Sequence, residues 1–288
     1  MIRGAAYTVG LMPVDVLAEV VANTPLAPDY NVLTLAAPAI AKHAAPGQFV
    51  MIRTAAGLDP LLRRPFSIFE HVRDADGRLV GISILNKRAG AGTARLYAAR
   101  PGDRLAVLGP LGRPFVPVHP PAEAWMVAGG VGLAPFASVA SALADLGTSM
   151  TLFYGARSAR DLYYESLFTG LGTRLVLTTE DGSRGEPGRV TGPLARELAA
   201  RPADRPLTIY ACGPTPMMRA VARLGDTAGC PVYVSLEPVM GCGMGGCYSC
   251  VVPIRHDDAG GTHLVRSCVD GPVFAAATLD WDQLGSGH

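Results

Sequence analysis

The sequence predicts an N-terminal antiparallel β-barrel, then a doubly wound parallel α/β domain, then a small C-terminal segment. Three observations carry this β + α/β reading. Over about the first 120 residues, short β-rich runs alternate with Pro, Gly and Asp, the spacing of a small barrel. From Trp125 the rhythm changes to strand, turn, helix, which implies buried parallel strands with helices on the sheet's faces. Beyond Glu237 the chain turns glycine- and cysteine-rich and fits neither period. The divisions expected are 1–120, 121–236 and 237–288.

In the first part, strands are expected at Val16–Val21, Asn31–Leu35, Gln48–Ile52, Phe66–Phe69, Leu79–Leu85 and Arg104–Val107. A short helix, Ala94–Ala99, follows Thr93 as its N-cap. Leu108-Gly109-Pro110-Leu111-Gly112 reads as a turn, and prolines 114, 117, 120 and 121 mark a linker. The second part offers strands at Trp125–Ala128, Met150–Tyr154, Arg174–Thr178, Leu207–Ala211 and Val232–Leu236. Helices fit between them at Ala134–Leu146, Asp161–Leu171, Leu194–Ala200 and Thr215–Ala228.

Composition excludes several classes. With 25 basic and 24 acidic side chains the net charge is +1, so no nucleic-acid face is indicated. A hydrophobic content of 49% with so little net charge excludes a disordered chain. Ala124–Ala144 is uncharged and long enough to span a membrane, but Gly129, Gly130, Gly132 and Pro135 would break such a helix. No membrane association is expected. Met1–Val14 lacks the apolar core of a signal peptide, so a cytoplasmic protein is expected. None of the six cysteines lies before residue 212, which is no disulfide framework.

Cys242, Cys247 and Cys250 are spaced C-x4-C-x2-C, and Cys268 completes a set of four. This is the plant-type spacing of ligands to a [2Fe-2S] cluster. Three thiolates on one tight loop must converge on two irons, and Gly241, Gly243, Gly245 and Gly246 permit the dihedrals required. The alternatives are a structural zinc, which also takes four thiolates, and inert thiols. Zinc ribbons usually show paired knuckles, whereas Cys268 stands alone. His43, His71, His119, His256, His263 and His288 show no ligand or catalytic spacing and read as surface residues. Cys230 reads as a small buried hydrophobe.

Arg64-Pro65-Phe66-Ser67 stands at a strand start, and Gly90-Ala91-Gly92-Thr93 leads into a helix. Together they suit a phosphate, through helix-end N–H groups and a charge-assisted arginine contact. An arginine before a strand is otherwise an ordinary edge charge. Gly129-Gly130-Val131-Gly132-Leu133-Ala134-Pro135 joins the first strand and helix of the second part. Such a turn is either a tight connection or a close approach to a dinucleotide. Tyr210-Ala211-Cys212-Gly213-Pro214 leaves a later strand. Glu180-Asp181 follows the third strand, where a carboxylate would accept from ribose hydroxyls and repel a 2′-phosphate, favouring NAD over NADP. An ordinary acidic turn would look the same.

Arg64-Pro65-Phe66-Ser67, the Gly92-Thr93 pair and the Gly-Pro-Leu-Gly turn resemble the flavin barrel of the ferredoxin–NADP reductase superfamily. The resemblance implies FAD, with Arg64 on its pyrophosphate, Phe66 stacked near the flavin and Ser67 reaching the isoalloxazine. Phe66 replaces the commoner tyrosine, which keeps the stack and loses the hydroxyl contact. It also implies Leu85, Asn86 and Lys87 beside the adenine and phosphates, and Cys212 beside the nicotinamide, ahead of Gly213-Pro214.

The order of parts narrows this further. Together with Ser235-Leu236-Glu237, Met240-Gly241-Cys242-Gly243 and Cys268-Val269-Asp270-Gly271-Pro272-Val273-Phe274, it is similar to the electron-transfer subunits of dihydroorotate dehydrogenase B. That likeness runs from about Val16 to Phe274. It implies FAD, NAD and a [2Fe-2S] cluster on Cys242, Cys247, Cys250 and Cys268. It further implies an FMN-containing catalytic dihydroorotate dehydrogenase partner, in a heterotetramer with two of each subunit, serving pyrimidine biosynthesis. Flavin/iron–sulfur subunits of hydrogenases or ferredoxin-dependent transhydrogenases share these features and differ in partner. A nucleotide-binding module with a structural zinc is the non-enzymatic alternative.

Overall fold

The fold is that of a computed structural model, which describes residues 12–55, 57, 59–202, 204–255 and 261–285. His256, His288 and the first eleven residues of the expected leader-free N-terminus lie outside the described residues.

Six antiparallel strands close a barrel: β1 (Val14–Ala27), β2 (Tyr30–Ala36), β3 (Phe49–Arg53), β4 (Arg64–Arg73), β5 (Leu79–Lys87) and β6 (Arg104–Leu111). They run in the order β1-β2-β5-β4-β3-β6, with β6 back on β1. Val20, Leu35, Val50, Ile52, Ile68 and Ile84 alternate with outward positions and fill the interior, fully buried. Short helices α1 (Pro38–Ala41) and α2 (Ala91–Tyr97) flank it. Two local expectations fail here. The segment Leu108-Gly109-Pro110-Leu111 is not a turn: it continues β6, where a bulge sets three steps of β6 against two of β3 (Phe49↔Leu111, Met51↔Leu108). Nor is Thr93 the N-cap of α2. Gly90 holds that place, and the Thr93 hydroxyl turns back to accept from the N–H groups of Ala89 and Gly90, at 2.9 Å each.

The second unit comprises β7 (Glu123–Gly129), α3 (Phe136–Asp145), β8 (Met150–Ala156), α4 (Glu165–Gly170), β9 (Arg174–Thr179), β10 (Glu186–Pro187), α5 (Thr191–Ala200), β11 (Leu207–Cys212), α6 (Thr215–Thr227) and β12 (Val232–Ser235). Its parallel strands lie in the order β10-β9-β8-β7-β11-β12. β7 and β11 are near-continuous apolar runs because helices cover both faces of the sheet. The helix expected at Asp161–Leu171 shrinks to α4. Packing overrides local propensity there: Tyr163 lies 5.0 Å from Tyr30 and Tyr164 4.8 Å from Phe69, ring centre to ring centre. One apolar core thus joins the two units, with Val32, Phe69 and Leu85 of the barrel packed beside Met126, Leu133 and Phe136.

The C-terminal segment is more regular than its composition suggests. β13 (Val251–Arg255) and β14 (Thr262–Arg266) form a hairpin. After α7 (Ser267–Asp270), β15 (Val273–Ala275) joins the large sheet antiparallel to β12. With only three residues, β15 is too short to show a period, yet Val273 and Phe274 enter cores on opposite faces. Among the described residues no helix is long and apolar enough to cross a membrane.

Candidate functional site

Chain order reverses between the neighbouring strands β7 and β11, and in such sheets ligands bind beyond the carboxyl ends at that point. Gly129-Gly130-Val131 leaves β7 and Gly213-Pro214 leaves β11, and both turns line a cleft of about 1750 Å³. That exceeds the roughly 300–1,000 Å³ of ordinary small-molecule sites and gives room for an extended dinucleotide. Gly132 and Pro135 are buried behind it. A Cβ on Gly132 would stand 2.2 Å from the Cys212 carbonyl oxygen, and one on Gly129 2.8 Å from Met217 Sδ. The two turns therefore interlock backbone to backbone, which only glycine allows.

Glu180 and Asp181 border the same cleft, with Arg157, Arg160 and Arg189. The hydroxyl and backbone N–H of Ser183 donate to Asp181 Oδ1 and hold its carboxyl below the ordinary range. Glu180 has no side-chain partner among the described residues, so its carboxylate is open to the cleft. Cys212 does not line the cleft. It is fully buried, with Sγ 3.8 Å from Glu237 Oε1. Burial first, and then the Glu237 charge, pushes the thiol well above its usual range. Burial raises the Glu237 carboxyl too, although the residue as a whole is exposed, so the desolvation is local to the end that meets Cys212.

On the barrel, β4 pairs with β3 from Arg64 onward but meets β5 only from Ile68. Leu85, Asn86 and Lys87 pair with β2 alone. The Arg64–Ser67 edge is thus left without a second strand, and a flat ring with donors and acceptors along its side would complete it. Gly92 borders this edge: a Cβ there would meet Thr54 Oγ1 at 3.0 Å and Arg64 Nε at 3.6 Å. Thr54 Oγ1, beside Gly92, is buried without a hydrogen-bond partner among the described residues, as is Asn86 Oδ1, which leaves acceptors a bound group could use. The edge, the arginine and the glycine fit a flavin with its pyrophosphate. Asn86 Nδ2 is already committed to Asn31 Oδ1 and the Thr93 carbonyl, at 2.7 and 3.0 Å. Leu85 is buried in the shared core, and Lys87 lies over the Tyr30 ring and lines the nucleotide cleft instead.

In the C-terminal segment Cys247 is exposed, Cys242 half-buried, and Cys250 and Cys268 buried. Among the described residues no three His, Cys, Asp or Glu side chains gather tightly enough for a single metal ion. The sulfurs meet in pairs instead, Cys242 with Cys247 and Cys250 with Cys268. Four thiols in the C-x4-C-x2-C…C order are the donor set that a [2Fe-2S] cluster takes. Backbone donors point inward, with Met244 N–H 3.4 Å from Cys242 Sγ. Hydrogen bonds from Ser249, and then from Cys242, bring the Cys247 thiol down to about 6. Burial pushes Cys268 up to about 12, so it must lose its proton as metal binds. Met240, Cys250 and Cys268 rest on Phe49, Met51, Leu108 and Leu111 of the barrel. Met51 pairs with Pro65, so one strand spacing, about 4.8 Å, joins the cysteine loop's support to the Arg64–Ser67 edge.

Residues 126–223 match the family model of the oxidoreductase NAD-binding domain, and residues 237–280 that of the iron-sulfur cluster binding domain of dihydroorotate dehydrogenase B. The dihydroorotate dehydrogenase B (NAD(+)) electron transfer subunit of Desulforamulus reducens is 37% identical over 92% of this chain and 98% of its own. The chain belongs to the dihydroorotate dehydrogenase B electron transfer subunit family. The Geobacillus kaustophilus subunit of that name is 40% identical, over 86% of this chain and 91% of its own. A solved chain of an NADH-dependent reduced ferredoxin-NADP oxidoreductase is 31% identical with a TM-score of 0.80, covering 93% of this chain and 91% of that one. The ferredoxin reductase of carbazole 1,9a-dioxygenase shares the fold, at 22% identity and a TM-score of 0.65 over 78% and 70% of the two chains. In this family's terms the barrel, the sheet and the cysteine segment are the FAD, NAD and iron–sulfur parts.

Several residues that matter to this dihydroorotate dehydrogenase B-type site carry no signal strong enough to single them out. Glu237 stood inside Ser235-Leu236-Glu237, but nothing local shows that it meets Cys212. Met51 and Thr54 belong to no motif; only barrel closure brings them to the cofactor edge. His71 is half-buried, not a surface residue: Nε2 lies 3.1 Å from the Ala44 carbonyl, and burial lowers its pKa. His43, His119 and His263 are exposed.

Proposed function

We propose that this chain carries electrons between NAD(H) and the catalytic subunit of a dihydroorotate-oxidising enzyme of pyrimidine biosynthesis, through its own FAD and [2Fe-2S] cluster. The observation that carries the reading is contiguity. The cysteine loop rests on Met51, Met51 pairs with Pro65, and β4 runs on to Phe69 in the core shared with the nucleotide sheet. When bound, FAD exchanges electrons in pairs with nicotinamide and singly with the cluster, and so joins the two.

The chain's own residues bind, orient and exclude water. Arg64 neutralises the FAD pyrophosphate, with Gly92 and Thr93 keeping the α2 backbone close. Pro65, Phe66 and Ser67 present the flavin edge, with Asn86 holding the Thr93 carbonyl beside it, while Leu85 packs the shared core and Lys87 faces the nucleotide cleft. Gly129, Gly130, Gly132, Pro135, Gly213 and Pro214 shape the NAD turn, while Glu180, on a turn fixed by Asp181, takes the ribose. Glu237 lines the cleft on the nicotinamide side, with the buried Cys212 packed behind it. Cys242, Cys247, Cys250 and Cys268 would together hold the [2Fe-2S] cluster, which supplies one-electron exchange. Residues 1–120, 121–236 and 237–288 act as the FAD, NAD and cluster units.

Around the exposed Cys247, Val239, Met244 and Tyr248 are 63%, 61% and 63% exposed, an apolar collar suited to a protein partner. We take that partner to be an FMN-containing catalytic subunit, in a heterotetramer with two of each. Six unpaired cysteines suit a reducing cytoplasm. The test is affinity purification of the tagged chain from its own host, followed by assay. A copurifying subunit that reduces NAD with dihydroorotate supports the reading. The 31% identity to the ferredoxin-NADP oxidoreductase chain supplies a second reading, and copurification with a transhydrogenase or hydrogenase subunit would overturn the first.

A further inference from the structure

Arg266 ends β14 and makes contacts that none of the site motifs accounts for. Its guanidinium lies over the Tyr248 ring, 5.6 Å from the centre, and Nη1 donates to the Gly245 carbonyl at 3.4 Å. Gly245 in turn gives its backbone N–H to the Cys268 sulfur. Both contacted residues are in the left-handed region, Gly245 at φ 81° and Tyr248 at φ 58°. A tyrosine stays there only when its surroundings fix it. The backbone N–H of Arg266 donates to Asp270 Oδ2 at 3.1 Å, which anchors the residue, but no carboxylate pairs with the guanidinium among the described residues. A fixed and unneutralised positive charge is therefore held against the cysteine loop.

We propose that Arg266 is a positioning residue that sets the reduction potential of the cluster, through a guanidinium pinned between Tyr248 and Gly245. The step it acts on is simple: one electron arrives, no bond breaks and no proton moves. That electron adds negative charge to a centre already anionic from its four thiolates. A nearby cation in a partly buried setting favours the reduced form, because the attraction is screened less than in water. The inference rests on the [2Fe-2S] reading above.

The test is an EPR-monitored redox titration of the full chain, carrying FAD and cluster, with a chemical reductant as electron source. Arg266→Gln is expected to keep its cluster absorbance and to titrate at a lower potential than the unaltered protein. Arg266→Lys keeps the charge without the planar fork and is expected to fall between the two. Tyr248→Leu removes the platform alone and is expected to shift the potential the same way by less. An unaltered protein without any iron–sulfur signal would sink the cluster reading itself. A normal cluster that titrates unchanged in Arg266→Gln would sink only this inference. Should Arg266→Gln not retain its cluster, Tyr248→Leu decides, and an unchanged potential there overturns the proposal.

Discussion

The nucleotide turns and the cysteine loop are both rich in glycine, and they differ in what surrounds it. At the turns the issue is space: a Cβ on Gly132 would collide with a backbone carbonyl at 2.2 Å, and Cys212 behind it is fully buried. In the cysteine loop direction adds to space: Gly243 and Gly245 stand at φ 74° and 81°, and a Cβ on Gly243 would also meet Met51 Cγ at 2.5 Å, while Cys247 is exposed. Strands on both sides buttress the turns, whereas the loop leans on the barrel through Met51 and Leu111 and otherwise depends on what its thiolates hold. One site is made by the fold and the other by its metal.

If so, the two should break differently. Cys247→Ser is expected to abolish the cluster, read as loss of iron and of visible cluster absorbance, while FAD content and NADH-dependent dye reduction stay within about twofold of normal. Loss of FAD together with the fold would mean the cysteines are structural. Gly132→Ala is expected to do the reverse. Overpacking costs roughly 1–3 kcal/mol, so the melting point falls and the KM for NADH rises about tenfold or more, with iron content unchanged. Gly246→Ala is the matching control in the loop: nothing lies within 4 Å of its added Cβ, and stability should hold within about 0.5 kcal/mol.

Within the nucleotide cleft the comparison sharpens to one carboxylate. Glu180→Gln is expected to raise the ratio of kcat/KM for NADPH to that for NADH about tenfold, roughly 1.4 kcal/mol, since Arg157 and Arg160 remain beside it. Asp181→Asn should change the ratio less, because Ser183 already occupies that carboxylate. An unchanged ratio in Glu180→Gln would remove it from nucleotide selection.

The smallest effect should leave both loops untouched. Burial lowers the His71 pKa below 6.5, so the native state binds that proton less readily than the unfolded chain. The associated stability is present above pH 6.5 and is lost as pH falls through and below it. His71→Gln should therefore flatten the drop in melting temperature between about pH 7.5 and 5.5, with FAD, iron and NADH kinetics unchanged. A drop as steep as in the unaltered protein would assign the acid sensitivity elsewhere.

The legible features were those written in local spacing. Alternating β-runs gave the barrel strands, the strand–turn–helix rhythm gave the parallel sheet, and C-x4-C-x2-C picked out the loop whose sulfurs meet. What escaped was created by tertiary contact. Leu108–Leu111 is strand because β3 and β1 flank it, α4 is short because two tyrosines turn toward the barrel, and β15 is a strand because β12 needs an edge partner. Met51, Thr54, Glu237 and Arg266 act through neighbours distant in sequence, and no spacing rule reaches them.

The central claim is that one chain carries electrons from nicotinamide to a cysteine-bound cluster. Anaerobic titration of the purified protein with NADH, followed by visible absorption and EPR, tests it without any partner. The expected result is bleaching of flavin bands together with the EPR signal of a one-electron-reduced [2Fe-2S] centre. A colourless protein containing zinc and no flavin, or flavin that bleaches while the cluster stays silent, would contradict it.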